Sequence, residues 1–174
     1  MAGLFDNGLF DEAHSLIKSW KPTKHSREIQ YRDDLFAYLT RELRSDNSIF
    51  GRGQVHILKE AGRSLADIAI NRAVGIELKL NLKSKSEVDR LRGQVEGHAK
   101  EYGEGVIIVL CGKTDDSQVA YAKTLFDDFN RQDVLDQRNK RVSIIVKSDG
   151  IKPDAIKKPD NLFGLNIPKF DFKI

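Results

Sequence analysis

The chain has 174 residues, 40% hydrophobic and 32% charged, with a formal net charge of +3. That length holds one domain with a real core and hardly two, and the balance is that of a globular protein, not a disordered one. So small a positive surplus permits a nucleic-acid partner without requiring one.

The opening stretch "MAGLFDNGLFDEAHSLIKSW" lacks a basic start and an uninterrupted apolar centre, so it does not read as a signal peptide. No apolar run approaches the roughly 20 residues that span a bilayer, and a cytoplasmic setting without a membrane partner is expected, in a cell or in a virus-infected host cell. Leu9, Ala13, Leu16, Ile17 and Trp20 recur at helical spacing, and Pro22 closes that segment. A second helix fits 26–44, with Ser26 as N-cap and Ile29, Phe36, Leu39 and Leu43 as its inner stripe. "NSIFGRG" is turn material and a short strand follows near "QVHILKE".

"SLADIAI" and "VGIELKL" alternate and flank "NRA", which predicts an antiparallel hairpin. Helical spacing returns over 86–102, with Val88, Leu91, Val95, Ala99 and Tyr102 facing inward. Ser84 and Glu87 form a capping box there, and Gly103 or Gly105 supplies a stop. "GVIIVLC" is the continuous apolar run of a strand covered on both faces. It ends on Cys111, a buried small residue; as the only cysteine it allows no intrachain disulfide and points to a reducing compartment. A helix over 117–135 and a strand at "RVSIIVK" complete an α/β pattern, a mixed central sheet flanked by helices. The strand–helix–strand segment 74–110 predicts a parallel, right-handed crossover. Residues 1–150 read as one domain with an added N-terminal helix. Residues 151–174 read as an apolar extension that packs on the domain or on a partner chain.

The hairpin carries the chemistry. Residues two apart on a strand share a face. Ile68 and Ile70, with Ile76, Leu78, Leu80 and Leu82, form an apolar side. Asp67, Ala69 and Asn71, with Glu77, Lys79 and Asn81, form the other. Two carboxylates near 4 Å apart repel by about 4 kcal/mol at an effective dielectric near 20. Lys79 offsets part of this and a divalent cation offsets more. Mg²⁺ takes oxygen ligands, often one or two carboxylates with water and phosphate oxygens. Such a site leaves Lys79 to hold a phosphate or help activate water. His14, His25, His56 and His98 lack metal-ligand spacing and read as surface or partly packed residues; neither a P-loop nor a G-x-S-x-G motif is present.

An acid, nine residues, then Glu77-Leu78-Lys79 on the far arm of a hairpin resembles the PD-(D/E)XK nuclease superfamily, the restriction-endonuclease-like fold. The likeness covers about residues 26–147, and the proline that usually precedes the first acid is Ala66 here. It implies a core of helix, three-strand meander, helix, strand, helix, strand. It also implies Mg²⁺ or Mn²⁺ held by Asp67 and Glu77, with the Leu78 carbonyl, and hydrolysis of phosphodiester bonds. A glutamate of the first core helix, matched by Glu28, completes the site or helps hold a second ion; on its helix Glu28 shares a face with Leu35 and Leu39. A glutamine of the helix after the lysine strand is matched by Gln94, with His98 where exonuclease-like members have a tyrosine.

Arg52, Arg63 and Arg72, then Lys83, Lys85, Arg90 and Arg92, are candidate phosphate contacts of the kind that give salt-sensitive affinity and little base specificity. The leading expectation is a Mg/Mn-dependent deoxyribonuclease, endonuclease slightly favoured. A non-catalytic nucleic-acid-binding or assembly protein on the same fold and an RNA nuclease stay open, as does a homodimer.

Overall fold

The computed structural model describes residues 8–44, 55–63, 65–135 and 141–147. The 151–174 extension, Arg52 and the "NSIFGRG" turn lie outside the described residues. Among the described residues four helices and five strands follow in the order α1 (Leu9–Ser19), α2 (Glu28–Arg44), β1 (Ile57–Ala61), β2 (Ala66–Ile70), β3 (Val74–Leu80), α3 (Lys85–Glu101), β4 (Gly105–Cys111), α4 (Asp116–Leu135) and β5 (Arg141–Lys147). The sheet order is β1-β2-β3-β4-β5. The first two pairings are antiparallel and the last two parallel, with Val74 beside Gly105 and Gly105 beside Arg141. This is the mixed α/β sheet expected from the pattern. Among the described residues no helix is long and apolar enough to cross a membrane.

Alternation along the strands divides the core into two layers. Ile68, Ile70, Ile76, Leu78, Ile107 and Val109 bury against Leu9, Ala13, Ile17 and Trp20 of the α1 segment and Tyr31, Leu35, Leu39 and Leu43 of α2. On the other side Val106, Ile108, Leu110 and Val142 meet Val88, Leu91, Val95 and Ala99 of α3 and Val119, Ala122 and Phe126 of α4. Every residue of β4 is buried, as its uninterrupted apolar run predicts.

Several details depart from the pattern, each for a local reason. In α2, Ile29 is 50% exposed, and the stripe runs instead through Tyr31, Leu35, Leu39 and Leu43, at a spacing of four, with Phe36 only partly buried. The Ser26 hydroxyl engages the Gln30 side chain, and it is Gln30 Oε1 that accepts the Arg27 N–H at the helix start (3.2 Å). After β3, Asn81 adopts φ 58°, which turns the chain over. Leu82 therefore buries against α3 and α4, not with Ile76 and Leu78, and Asn81 leaves the polar face to accept the Lys113 N–H through Oδ1 (2.8 Å). The Ser84–Glu87 capping box forms as expected. The stop of α3 is Tyr102, not a glycine: its backbone turns extended and its ring lies over Gly75, where an added Cβ would come within 2.5 Å of the ring.

The β2–β3 turn closes with Ala73 N–H to Ile70 O (2.9 Å), and both central residues, Asn71 (φ 50°) and Arg72 (φ 55°), are left-handed. Asparagine tolerates that conformation; arginine is strained in it, by about 1–2 kcal/mol. Arg72→Gly is expected to raise stability by about 0.5–1 kcal/mol after glycine's entropy is subtracted, and Arg72→Val to lower it by at least as much, read from urea midpoints at constant m.

Candidate active site

β2 and β3 are in register at Ile68–Ile76, Ala69–Gly75 and Ile70–Val74, and one further step brings Asp67 opposite Glu77. Here the carboxylates enter the ladder. Asp67 Oδ2 accepts the Leu78 N–H at 2.8 Å. Glu77 is 3% exposed, and its two oxygens are shared between the Lys79 ammonium (Oε1, 2.8 Å) and the His98 ring (Oε2 to Nε2, 3.0 Å). Glu28, in the first turn of α2, reaches the same end of β3: Oε2 accepts the Leu80 N–H at 2.9 Å and Oε1 lies 3.7 Å from Lys79 Nζ. Residues 52 positions apart thus meet at one strand terminus.

Burial sets the electrostatics. Lost hydration, together with the charge of Glu77, pushes the Asp67 carboxyl up to about 6, against relief from the Leu78 N–H and Lys79. Burial acts the same way on Glu77, but the His98 and Lys79 hydrogen bonds outweigh it and hold Glu77 below the usual carboxylate range. Burial disfavours the Lys79 cation too, yet Glu77, then Glu28 and Asp67, raise its pKa above the ordinary value. Neighbouring acids are thus pushed in opposite directions, as happens where one must stay ionised and the other can carry a proton.

Of the residues singled out in the sequence, Asp67, Glu77, Lys79 and Glu28 converge. Gln94 lies one helical turn before His98 on α3, with its Oε1 buried and without a hydrogen-bond partner. Exposed Arg63, Lys83 and Lys85 lie in segments that flank the acid-bearing ends of β2 and β3, whereas Arg72 sits at the opposite end of the hairpin. Lys85 rests over the Tyr121 ring (5.2 Å) and Arg92 pairs with Glu96 (2.7 Å). The residue missed is His98. It reads from sequence as surface or partly packed, yet it is 1% exposed and holds Glu77. With Glu77 ionised, Nε2 must carry the proton, which leaves Nδ1 buried and without a partner. A signal existed: His98 follows Gln94 by four and precedes Tyr102 by four, on the face turned to the sheet.

In donor chemistry the set fits a hard divalent cation, since Asp67, Glu77 and Glu28 are all carboxylates and the elevated Asp67 pKa is what a nearby cation would relieve. Among the described residues, no three His, Cys, Asp or Glu side chains already stand as a ready cluster of metal ligands. Lys79 neutralises Glu77, so an ion would compete with that ammonium. No protein-family model, curated protein or solved structure matches the chain.

The Asp67 shift sets a stability prediction. Its folded pKa of about 6 lies above the ordinary 3.8, so the fold favours the protonated acid. That contribution is complete below pH 3.8 and lost as pH rises through 6. In metal-free buffer Asp67→Asn should therefore stabilise the protein at pH 7.5 by about 1–3 kcal/mol, and the gain should shrink toward zero near pH 4, measured by chemical denaturation at both pH values.

Proposed function

We propose that the protein is a divalent-metal-dependent nuclease that hydrolyses phosphodiester bonds in DNA, on a restriction-endonuclease-like core. The observation that carries this reading is the meeting of Asp67, Glu77 and Lys79 at one hairpin end, joined by Glu28 from α2. The element order after α1, a helix, three antiparallel strands, a helix, a strand, a helix and a strand, supports the same core.

Asp67, Glu77 and Glu28 would hold Mg²⁺ or Mn²⁺, which supplies charge stabilisation at the phosphate and a more acidic bound water. The protein's own groups do the rest. His98 fixes Glu77 in one rotamer and keeps it ionised. Lys79, half freed from water and ringed by acids, is cationic at neutral pH and is placed to hold a phosphate oxygen or orient the attacking water. Gln94, one turn before His98 on α3, holds its Oε1 buried without a partner and would be free to take a hydrogen bond. No covalent intermediate on the protein is needed. Exposed Arg63, Lys83 and Lys85 would add phosphate contacts, and these carry affinity without base readout.

A second reading, nucleic-acid binding without turnover, is favoured by the Lys79–Glu77 ion pair, which already satisfies the buried acid without a metal.

One set of measurements separates the two. Single-stranded, duplex and branched DNA, with matched RNA, are incubated with the protein in Mg²⁺, Mn²⁺ or EDTA. Cleavage is expected with metal and absent with EDTA. Asp67→Ala and Lys79→Met are each expected to slow it about 100-fold or more. Mn²⁺ binding by calorimetry should be lost in Asp67→Ala and kept or strengthened in Lys79→Met, because the competing ammonium is gone. Undiminished cleavage by both variants would remove these residues from the mechanism; salt-sensitive binding without products in any metal would establish the second reading.

A further inference from the structure

A cavity of about 480 Å³ opens over β1 and β2, beside the end of α3. Its floor includes Leu58 and Ala69, directly paired across the two strands. Tyr102 stands behind this floor: fully buried, it packs on Ala69 and spends its hydroxyl on the Ala61 carbonyl (2.9 Å), so the apolar surface open to a ligand is that of Leu58, with Ala61 beside it. Leu58 is 56% exposed, an unusual state for a large aliphatic side chain at a cavity. Polar groups sit at the margin: His56, Asn71 and the strained Arg72, all exposed.

Position ties this cavity to the acids. Ala69 is two residues from Asp67, and its cross-strand partner Gly75 is two residues from Glu77. By alternation all four fall on one side of the sheet, and at about 3.3 Å per residue the cavity floor begins about 7 Å along the strands from the backbone positions that carry the acids. Tyr102 also meets His98 edge-on (6.2 Å between ring centres), so the residue behind the cavity floor contacts the residue that holds Glu77.

We infer that this cavity receives one unpaired nucleobase of the strand whose phosphodiester lies at Asp67 and Glu77, which makes single-stranded or locally unwound nucleic acid the preferred substrate. The inference rests on the nuclease reading above and adds to it a substrate class. A nucleobase has two apolar faces and a polar edge, matching an apolar floor with hydrogen-bonding groups at its margin. A phosphate alone is a poor match for Leu58, Ala61 and Ala69. A base held in a duplex stack cannot enter, whereas the offset from the acids is within the reach of one nucleotide. Arg72 supplies a planar cation beside the cavity that can stack on a base or meet a phosphate.

The test is binding of the full chain, in EDTA so that nothing is cut, to a labelled oligothymidylate, to the same oligonucleotide carrying abasic sugars, and to a blunt duplex, by fluorescence anisotropy. Leu58→Asp places a charge at the cavity, Ala69→Leu fills it, and Leu65→Asp alters another exposed leucine, outside it; circular dichroism checks that each folds. The intact single strand is expected to bind about fivefold or more tighter than the abasic one. That preference should vanish in Leu58→Asp and Ala69→Leu and persist in Leu65→Asp. Equal binding of intact and abasic strands, or a preference untouched by both cavity variants, overturns the inference, and so does the absence of binding. If metal-dependent cleavage is seen alongside equal binding, the nuclease reading stands and the base site falls. If base-dependent binding tracks the cavity variants while no metal gives cleavage, the base site stands and the nuclease reading falls.

Discussion

Glu77 is a carboxylate almost wholly withdrawn from water in the middle of a sheet, and much of the molecule follows from keeping it charged there. Desolvation of an ion in a protein interior costs several kcal/mol, and only well-placed donors offset it. Two do so here, one from its own strand (Lys79) and one from α3 (His98). The second donor fixes how α3 lies on the sheet. His98 must come within hydrogen-bond reach of Glu77, which carries Tyr102, one turn later, onto the strand below. That contact is open only because residue 75 has no side chain. A buried ion, a helix position and a glycine are thus one linked requirement.

The two sides of the sheet are unequal for the same reason. Below it, α1 and α2 cover the strands with aliphatic and aromatic side chains. Above it, α3 and α4 share an apolar layer with β4 and β5, while β3 offers α3 Gly75, Glu77 and Lys79 in place of hydrophobic residues. The acids therefore sit at a boundary between a dry interior and an open hairpin surface. Fixed charges act most strongly in such a place, where the local dielectric is low yet a ligand can still arrive.

The sheet and the three strand groups that meet at the hairpin end, Asp67, Glu77 and Lys79, were legible because alternation is a strict rule: with Ile76 and Leu78 inward on one side, Glu77 and Lys79 had to share the other. Glu28 was legible only through a resemblance, since nothing in the first turn of a helix announces a partner 52 residues away. Other features turn on single backbone angles or tertiary contacts. The left-handed Asn81 sends Leu82 to the opposite layer, and alternation alone cannot foresee it. In α2 both Ile29 and Tyr31 suit an inner stripe, and packing against β-strand neighbours decided for the tyrosine. His98 was hidden because a search for apolar spacing passes over a polar residue on a buried face. The cavity had no signature at all, being made by what α3 leaves uncovered.

The α1 helix is laced along β5, the strand farthest from it in the described chain. Arg141 pairs with Asp11 (2.7 Å) and stacks on Phe10, the Ser143 hydroxyl meets His14 (2.9 Å), and the Lys147 ammonium donates to the last carbonyls of the helix segment at Lys18 (2.6 Å) and Trp20 (2.7 Å). The hydrogen bonds among these links join positions 127 to 130 residues apart, so they form only after a large loop has closed. The first helix and the last strand of the described residues consequently act as a clasp: neither is secure until the other arrives, and loosening α1 frays the β5 rim of the sheet.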